Sequence, residues 1–291
     1  MAAVRPRSLP IAVGPVLVGA SFGYLHSGAI DPVAALLAFA AALLMQVITN
    51  MQNDVGYTVR GGERSGTRTG LPRATANGWL SIGQVRTGIF VTALLASAIG
   101  IALVAWRGWP VLAIGVASLL AALAYMGGPK PIAYTPFGEL TVFIFFGLVA
   151  VLGTDWLLTG AVSQLSFLAA ICIGSLSAAA LTVNNHRDIA HDRQVGRQTF
   201  AASFGAGASH AMLAALLFGP FLLLAPMALL DGGAPLLLPA LLAPTAWRLR
   251  RDFVRCPPGT AYNAILFRTF LLELWFAGLL SAGALLAAML G

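Results

Sequence analysis

The chain has 291 residues, of which 58% are hydrophobic and only 9% are charged, and its net charge is +7. Soluble globular domains carry about 25% charged residues, so this composition excludes an ordinary soluble enzyme and indicates an integral membrane protein. The positive charge does not call for a nucleic-acid partner, because the usual excess of arginine in cytoplasmic loops accounts for most of it.

Nine apolar runs are long enough to cross a hydrocarbon core of about 30 Å, which needs roughly 20 helical residues. In chain order they are 9–28, 33–52, 82–106, 109–127, 138–158, 165–184, 206–229, 233–248 and 263–290. Alanine, leucine and glycine dominate the runs and strand-like alternation is missing, so we expect helices rather than strands. The predicted fold class is all-α, with one domain over residues 1–291 built as a polytopic membrane bundle of nine transmembrane helices.

The connecting segments predict the orientation of this bundle. If the N-terminus lies inside, the polar loops 53–80, 128–137, 185–205 and 249–262 are cytoplasmic and contain most of the arginines, whereas Arg107 is the only Lys or Arg outside. An excess of Lys and Arg marks the cytoplasmic side. We therefore predict a cytoplasmic N-terminus and a cytoplasmic active face, with a bacterial inner membrane as the natural setting.

Two polar clusters stand at the ends of the second and sixth runs. They consist of Asn50, Asn53 and Asp54, and of Asn184, Asn185, Asp188 and Asp192. Residues four apart share a face of a helix, so oxygens within each cluster project in one direction. Asn and Asp also cap helices and solvate loop ends, and either cluster alone is open to that interpretation. Two such clusters on one side of the membrane favour a site for Mg²⁺ and an anionic ligand.

Several basic side chains in the same loops have the chemistry to bind phosphate oxygens. They are Arg60, Arg68, Arg73, Lys130, Arg193 and Arg197. Taken singly, most cytoplasmic arginines of a membrane protein are determinants of membrane orientation, and only a minority are expected to contact substrate.

Four ordered segments resemble the UbiA superfamily of intramembrane aromatic prenyltransferases, and within it the 1,4-dihydroxy-2-naphthoate prenyltransferases of menaquinone biosynthesis. The segments are NMQNDVGYTVRGGE, GTRTGLPRATANGW, YMGGPKPIAYTPFGELTVFIFFGLVAVLGT and NNHRDIAHDRQVGRQTFAASFG. The resemblance implies a bundle around a central cavity, Mg²⁺ as cofactor and a polyprenyl diphosphate as donor. It implies an aromatic acceptor, most closely 1,4-dihydroxy-2-naphthoate, converted to demethylmenaquinol with loss of CO₂ and diphosphate, and a reaction within membrane lipid.

The resemblance also assigns roles to residues at matching positions. The implied metal ligands are Asp54, Asp188, Asp192, Asn50 and Asn184. The implied catalytic residues are the same three aspartates with Lys130 and Tyr134, and Tyr134 would lie near the allylic cation. The implied substrate-binding residues are Asn50, Asn53, Tyr57, Arg60, Glu63, Arg68, Arg73, Glu139, Asn184, Asn185 and Arg197. The chain departs from the family at Tyr57, where a second aspartate is usual, because neutral tyrosine does not replace a carboxylate ligand.

Two alternatives stay open at the level of sequence. One keeps the scaffold and changes the chemistry, either to another aromatic acceptor or to cyclisation of the prenyl diphosphate. The other is a transporter, since carboxylates inside a membrane also mark transport pathways. The acidic residues gather at one face, however, and only Glu273, with Arg268 on the same predicted helix, lies deeper.

Overall fold

The computed structural model describes residues 2–62, 69–257 and 259–290. Within these ranges all regular structure is helical, and eight helices are long and apolar enough to cross a membrane, which confirms an all-α membrane bundle. The helices are α1 (Pro10–Ser27), α2 (Pro32–Val59), α3 (Ile82–Arg107), α4 (Trp109–Met126), α5 (Gly138–Thr159), α6 (Gln164–Arg187), α7 (Ile189–Gln194), α8 (Phe200–Met227), α9 (Ala243–Arg255) and α10 (Tyr262–Leu290).

The predicted run 233–248 does not form one long helix, so the described part of the chain does not contain nine long apolar helices as such. A tighter 3-10 segment, Ala234–Leu242, leads into the amphipathic helix α9. Pro235, Pro239 and Pro244 each lack a backbone N–H group, which prevents an unbroken α-helical ladder through this stretch. This stretch is therefore built from two shorter pieces, and neither is among the eight helices that are long and apolar enough to cross a membrane.

Three predicted loops are partly helical. The loop predicted over 53–80 begins later, because α2 continues to Val59 and carries the first polar cluster on its last three turns. The loop predicted over 185–205 contains the end of α6, the short helix α7 and the start of α8. The loop predicted over 249–262 is α9 as far as Arg255. Both polar clusters thus lie on or next to regular helix, which fixes the directions of their side chains.

Several helix starts are fixed by side-chain caps. The Asp31 side chain accepts hydrogen bonds from two backbone N–H groups in the first turn of α2, and Ser81 forms a reciprocal capping box with Gln84 at the start of α3. Ser163 caps α6 and Thr199 caps α8 in the same way. Such caps satisfy N–H groups that have no partner inside the helix, and each typically stabilises a helix by about 1 kcal/mol.

The helices form two packed groups. Helices α1, α6, α8 and α10 share the largest apolar core, while α2 packs on α3 and α4. Helix α5 crosses α6 where Gly147 faces Gly174, and a Cβ atom on Gly147 would lie 2.6 Å from the Ala170 carbonyl oxygen. Small residues permit this close approach. A cavity of about 670 Å³ remains between the two groups, lined largely by apolar side chains and polar at one end.

Candidate active site

The polar end of the cavity collects residues from both predicted clusters. It is lined by Asn50, Asn53, Tyr57, Arg73, Asn184, Asp188 and Arg197. Away from this end the walls are apolar and include Phe145 and Phe146 of α5 and Phe270 of α10. The space therefore joins a group of amides and guanidinium groups to a long apolar chamber.

Asp188 and Asn184 are linked by Arg187, one of the arginines of the predicted cytoplasmic loop 185–205. Both oxygens of Asp188 accept hydrogen bonds from Arg187, at 2.9 and 2.6 Å, and the Asn184 Oδ1 atom accepts one at 2.9 Å. Asn263 at the start of α10 accepts a further bond from Arg187 at 2.7 Å. The buried guanidinium group thus occupies the oxygens that the sequence predicts to bind a metal.

Asp54 supports a neighbouring loop instead of lining the cavity. Its two fully buried carboxylate oxygens accept hydrogen bonds from the backbone N–H groups of Ala74 and Thr75, at 2.8 and 2.9 Å, and from the Thr75 hydroxyl group at 2.5 Å. The next residue back, Arg73, donates to the Asn53 carbonyl oxygen at 2.8 Å. Asp54 therefore holds the segment that places Arg73 at the cavity.

Tyr57 lies between two arginines at the position where the family resemblance led us to expect a carboxylate. The guanidinium carbons of Arg73 and Arg197 lie 3.8 and 4.9 Å from the centre of its ring. Arg197 also donates a short hydrogen bond to the Tyr57 hydroxyl oxygen. Cations are attracted to aromatic faces, so the tyrosine holds two positive charges together at the cavity.

Asp192 is fully buried and pairs with Arg197, with 2.8 Å between Oδ1 and the guanidinium nitrogen. Its other oxygen accepts a hydrogen bond from Thr199 at 3.3 Å. Burial lowers the pKa of Arg197 to about 9, which is still above neutral, so Arg197 is a cation at pH 7. Asp192 therefore orients a cationic side chain and is not among the residues that line the cavity.

Glu139 and Asn185 meet behind the cavity wall. Asn185 donates to the Glu139 Oε1 atom at 2.9 Å, and Glu139 Oε2 is buried with no hydrogen-bond partner in the described residues. Tyr125 lines the cavity beside them, because a Cβ atom on Gly138 would lie 3.5 Å from its hydroxyl oxygen. The sequence did not single out Tyr125, although it lies in a segment that carries the family resemblance.

The other predicted residues lie around this centre. Arg60 donates to the backbone of Met126 and Gly128 and lies 5.6 Å from the ring centre of Tyr134, whose pKa is raised by burial. Lys130 is exposed. Glu63 and Arg68 fall outside the described residues, so their predicted roles stay predictions.

The N-terminal segment adds residues that the sequence did not indicate. Arg5, Arg7 and Ser8 line the polar end of the cavity. The Asn50 side-chain amide donates to the Val4 carbonyl oxygen at 2.8 Å and to the Ser8 hydroxyl oxygen at 3.0 Å. In a sequence, an N-terminal arginine indicates membrane orientation. Only the fold shows that this N-terminal segment contacts α2.

The donor set fits a Mg²⁺ ion bound through a single protein carboxylate. Among the described residues, no group of three or more His, Cys, Asp or Glu side chains comes together, so the three predicted aspartates do not converge. Asp188 lines the cavity together with the side chains of Asn53 and Asn184. Mg²⁺ commonly uses one or two carboxylates and completes its shell with waters and substrate phosphates, which this arrangement allows.

Comparisons with known proteins agree with this architecture. Residues 12–272 match the model of the UbiA prenyltransferase family. The chain is 32% identical to 1,4-dihydroxy-2-naphthoate octaprenyltransferase of Escherichia coli over 230 residues, which cover 76% of this chain and 73% of that one. A UbiA homolog from Aeropyrum pernix K1 has a similar fold, with a TM-score of 0.72, 19% identity and coverage of 97% and 98% of the two chains. A UbiA homolog from Archaeoglobus fulgidus bound to GPP and Mg²⁺ gives a TM-score of 0.67 at 15% identity, covering 97% of each chain.

Proposed function

The chain belongs to the UbiA prenyltransferase family, and we propose that it transfers a polyprenyl group from a polyprenyl diphosphate to 1,4-dihydroxy-2-naphthoate. One observation carries this proposal: a single cavity has a cationic, amide-rich end and an apolar chamber. A prenyl diphosphate has the complementary division, with a dianionic or trianionic head and a hydrocarbon tail. The name of the Escherichia coli relative supports the choice of acceptor.

The head of the donor would bind at the arginine pair. Arg73 and Arg197 are held side by side on Tyr57, and Asp54 and Asp192 fix their positions. Guanidinium groups bind phosphate oxygens through paired hydrogen bonds, which are stronger than bonds between neutral groups. Negative charge that develops on the leaving diphosphate is therefore stabilised by donors already in place.

Asp188 and Asn184 would hold Mg²⁺ at the same end, with Asn53 and Asn50 as further amide neighbours. A bound Mg²⁺ supplies Lewis-acid stabilisation of the diphosphate as a leaving group. Arg187 keeps the Asp188 carboxylate paired and aimed at the cavity before the ion and the donor arrive. We therefore propose that Mg²⁺ binds at the second polar cluster more than at the first.

The apolar chamber protects the carbon centre of the reaction. The carbon–oxygen bond of the donor breaks and its electron pair leaves with the diphosphate, so the prenyl carbon becomes an allylic cation. Aromatic walls such as Phe145 and Phe146 exclude water that would otherwise capture it. A ring carbon of the acceptor attacks this cation. The carboxylate on that carbon leaves as CO₂, and the electrons of its bond restore the aromatic ring.

The acceptor would bind beside Tyr125 and Glu139. Glu139 Oε2 has no partner in the described residues and would accept a proton from an acceptor hydroxyl group through Tyr125, which lines the cavity, and return it once CO₂ has left. Removing this proton makes the ring more electron-rich at the attacking carbon. Asn185 fixes the other carboxylate oxygen and hence the direction of Oε2.

The proposal also includes location and orientation. The apolar helices support an integral membrane protein, and the arginine distribution supports a bacterial cytoplasmic membrane with the polar end inside.

Membranes containing the protein are incubated with Mg²⁺, a polyprenyl diphosphate and either 1,4-dihydroxy-2-naphthoate or 4-hydroxybenzoate. Prenylated naphthoquinol from the first acceptor is the expected product. Prenylation of 4-hydroxybenzoate alone, or formation of a cyclised hydrocarbon without any acceptor, would contradict the proposed transfer to 1,4-dihydroxy-2-naphthoate.

A further inference from the structure

A second surface feature lies apart from the active site, between α8 and α9. A groove of about 410 Å³ is lined by Ala214, Phe218, Trp247, Arg250, Arg251, Val254 and Arg255. Its α8 side is short and apolar, and its α9 side combines three arginines with a tryptophan and a valine. We propose that this groove binds an anionic phospholipid, with the phosphodiester at the arginines and an acyl chain along Phe218 and Trp247.

The face that α9 turns to the groove differs from the face that it buries. Ala246, Leu249 and Phe253 are buried in the core of the bundle. Trp247 and Val254 are 65% and 43% exposed although both are apolar. Large apolar side chains on the outside of a membrane bundle are covered by lipid chains, so this face is suited to a lipid rather than to water.

The groove runs from a charged end to an apolar end. Ala214 and Phe218 are one helical turn apart, about 6 Å along α8, and the Phe218 ring centre lies 6.1 Å from that of Trp247. Arg250 and Arg251 follow Trp247 by about one turn, and Arg255 lies a further turn along. Arginine stems extend along apolar surface while their guanidinium groups reach the interface. This order matches a phospholipid whose chain enters the bilayer below its head group.

The charge of the surface is complementary to a phosphodiester. No ion pair is recorded for Arg250 or Arg255 in the described residues. The nearest carboxylate on α9, Asp252, does not line the groove; it pairs with Arg268 of α10 at 2.8 Å and with Arg251 at 3.4 Å, which leaves Arg250 and Arg255 as the cations available to a phosphodiester. The Arg268 hydrogen bond lowers the pKa of Asp252 below its usual range, so Asp252 is ionised at neutral pH and balances only part of the local charge.

A bias toward arginine on the cytoplasmic side accounts for the presence of these cations. It does not account for three of them lining one groove with two aromatic rings. Basic pockets between helices at the polar level of a bilayer bind anionic head groups, and each arginine or lysine adds to the attraction. The site lies outside the prenyl-transfer cavity, and its occupation does not depend on the proposed reaction.

Native mass spectrometry of the full chain in detergent tests the proposal with two probes, palmitoyl-oleoyl phosphatidylglycerol and the phosphatidylcholine with the same chains. The wild type should retain phosphatidylglycerol in preference to phosphatidylcholine. The double variant R250Q/R255Q should lose affinity for phosphatidylglycerol by at least about fivefold. R248Q is the matched control, because Arg248 is an exposed arginine on α9 that does not line the groove.

A second measurement locates the lipid without relying on charge removal. The fluorescence of Trp247 is the part of the tryptophan signal that Trp247→Phe loses. Phosphatidylglycerol brominated on one acyl chain should quench this fluorescence, and brominated phosphatidylcholine should quench it less. Equal retention of phosphatidylglycerol by wild type and R250Q/R255Q would overturn the proposal. So would an equal loss in R248Q, or quenching of Trp247 that is the same for both lipids.

Discussion

Arg187 holds both carboxylate oxygens of Asp188, at 2.9 and 2.6 Å, beside the cavity that we assign to a metal and a diphosphate. A buried carboxylate without a partner is costly, and a cation that can be exchanged for Mg²⁺ removes that cost in the resting protein. The relationship makes Asp188 the aspartate on which the proposed chemistry depends most directly.

Arg187→Gln should make the protein depend on Mg²⁺ for stability. Without Arg187, the buried Asp188 loses the cation that pairs with both of its oxygens, and removing one partner of a buried ion pair costs about 3–5 kcal/mol. We expect Mg²⁺ to raise the melting temperature of Arg187→Gln more than that of the wild type. Arg193→Gln is the control, because Arg193 donates to the Ala202 carbonyl oxygen. An equal Mg²⁺ response in wild type and Arg187→Gln would show that Asp188 does not bind the ion.

Tyr57→Phe should weaken donor binding while the protein stays folded. The variant keeps the ring beneath Arg73 and removes the hydroxyl oxygen that accepts from Arg197. Hydrogen bonds to charged groups contribute about 1.5–3 kcal/mol, so the KM for the polyprenyl diphosphate should rise by about tenfold or more. Steady-state kinetics at saturating acceptor measure it. A fall in kcat with an unchanged KM would place Tyr57 elsewhere in the mechanism.

Tyr57→Asp should lower the Mg²⁺ concentration that the enzyme requires. A carboxylate at this position adds a hard oxygen ligand at the polar end of the cavity, one helical turn from Asn53. The Mg²⁺ concentration that gives half-maximal activity should therefore fall. Tyr57→Asn serves as the control of similar size without the charge, and an equal response in both variants would contradict a ligand role at this position.

Thr75→Val should reproduce part of the effect of changing Asp54. If Asp54 acts by holding the segment that carries Arg73, loss of the Thr75 hydroxyl bond loosens that segment while the carboxylate remains. We expect a severalfold rise in the KM for the donor, and no change in the Mg²⁺ requirement. A shift of the Mg²⁺ requirement in Asp54→Asn but not in Thr75→Val would instead identify Asp54 as a metal ligand.

Glu139→Gln should lower kcat and leave donor binding intact. The amide can keep the contact with Asn185 but cannot accept a proton as the carboxylate does. General-base catalysis typically contributes about 10²–10⁴-fold, which sets the expected fall in kcat. Tyr125→Phe shows whether the proton passes through Tyr125. Unchanged kcat in Glu139→Gln would remove this residue from the acceptor site.

Much of the fold could be predicted because its cause is local. Runs of about 20 apolar residues require membrane helices, and most of the predicted runs correspond to helices of the structure. The run 233–248 could not be predicted as two pieces from hydropathy alone. The break depends on the prolines in this run and on its packing against α10. Family membership also supports an enzyme over the transporter alternative.

The sequence predicts several of the residues of the candidate site, but not the contacts that these residues make. Helical spacing predicts that Asn184, Asp188 and Asp192 project in one direction, and of these Asn184 and Asp188 line the cavity whereas Asp192 does not. The sequence does not reveal that Arg187 turns back to bind both, or that Asp54 satisfies a loop 20 residues away. Those contacts depend on tertiary packing, in which one arginine or one carboxylate can serve either the ligand or the scaffold.

The most direct test of the proposed function uses 1,4-dihydroxy-2-naphthoate carrying ¹³C in its carboxyl group. Purified protein is incubated with this acceptor, Mg²⁺ and a polyprenyl diphosphate, and labelled CO₂ and prenylated product are measured together. We expect one labelled CO₂ for each prenylated naphthoquinol, and loss of both in Asp188→Asn. A prenylated product that retains the label, or diphosphate release without any prenylated acceptor, would contradict it.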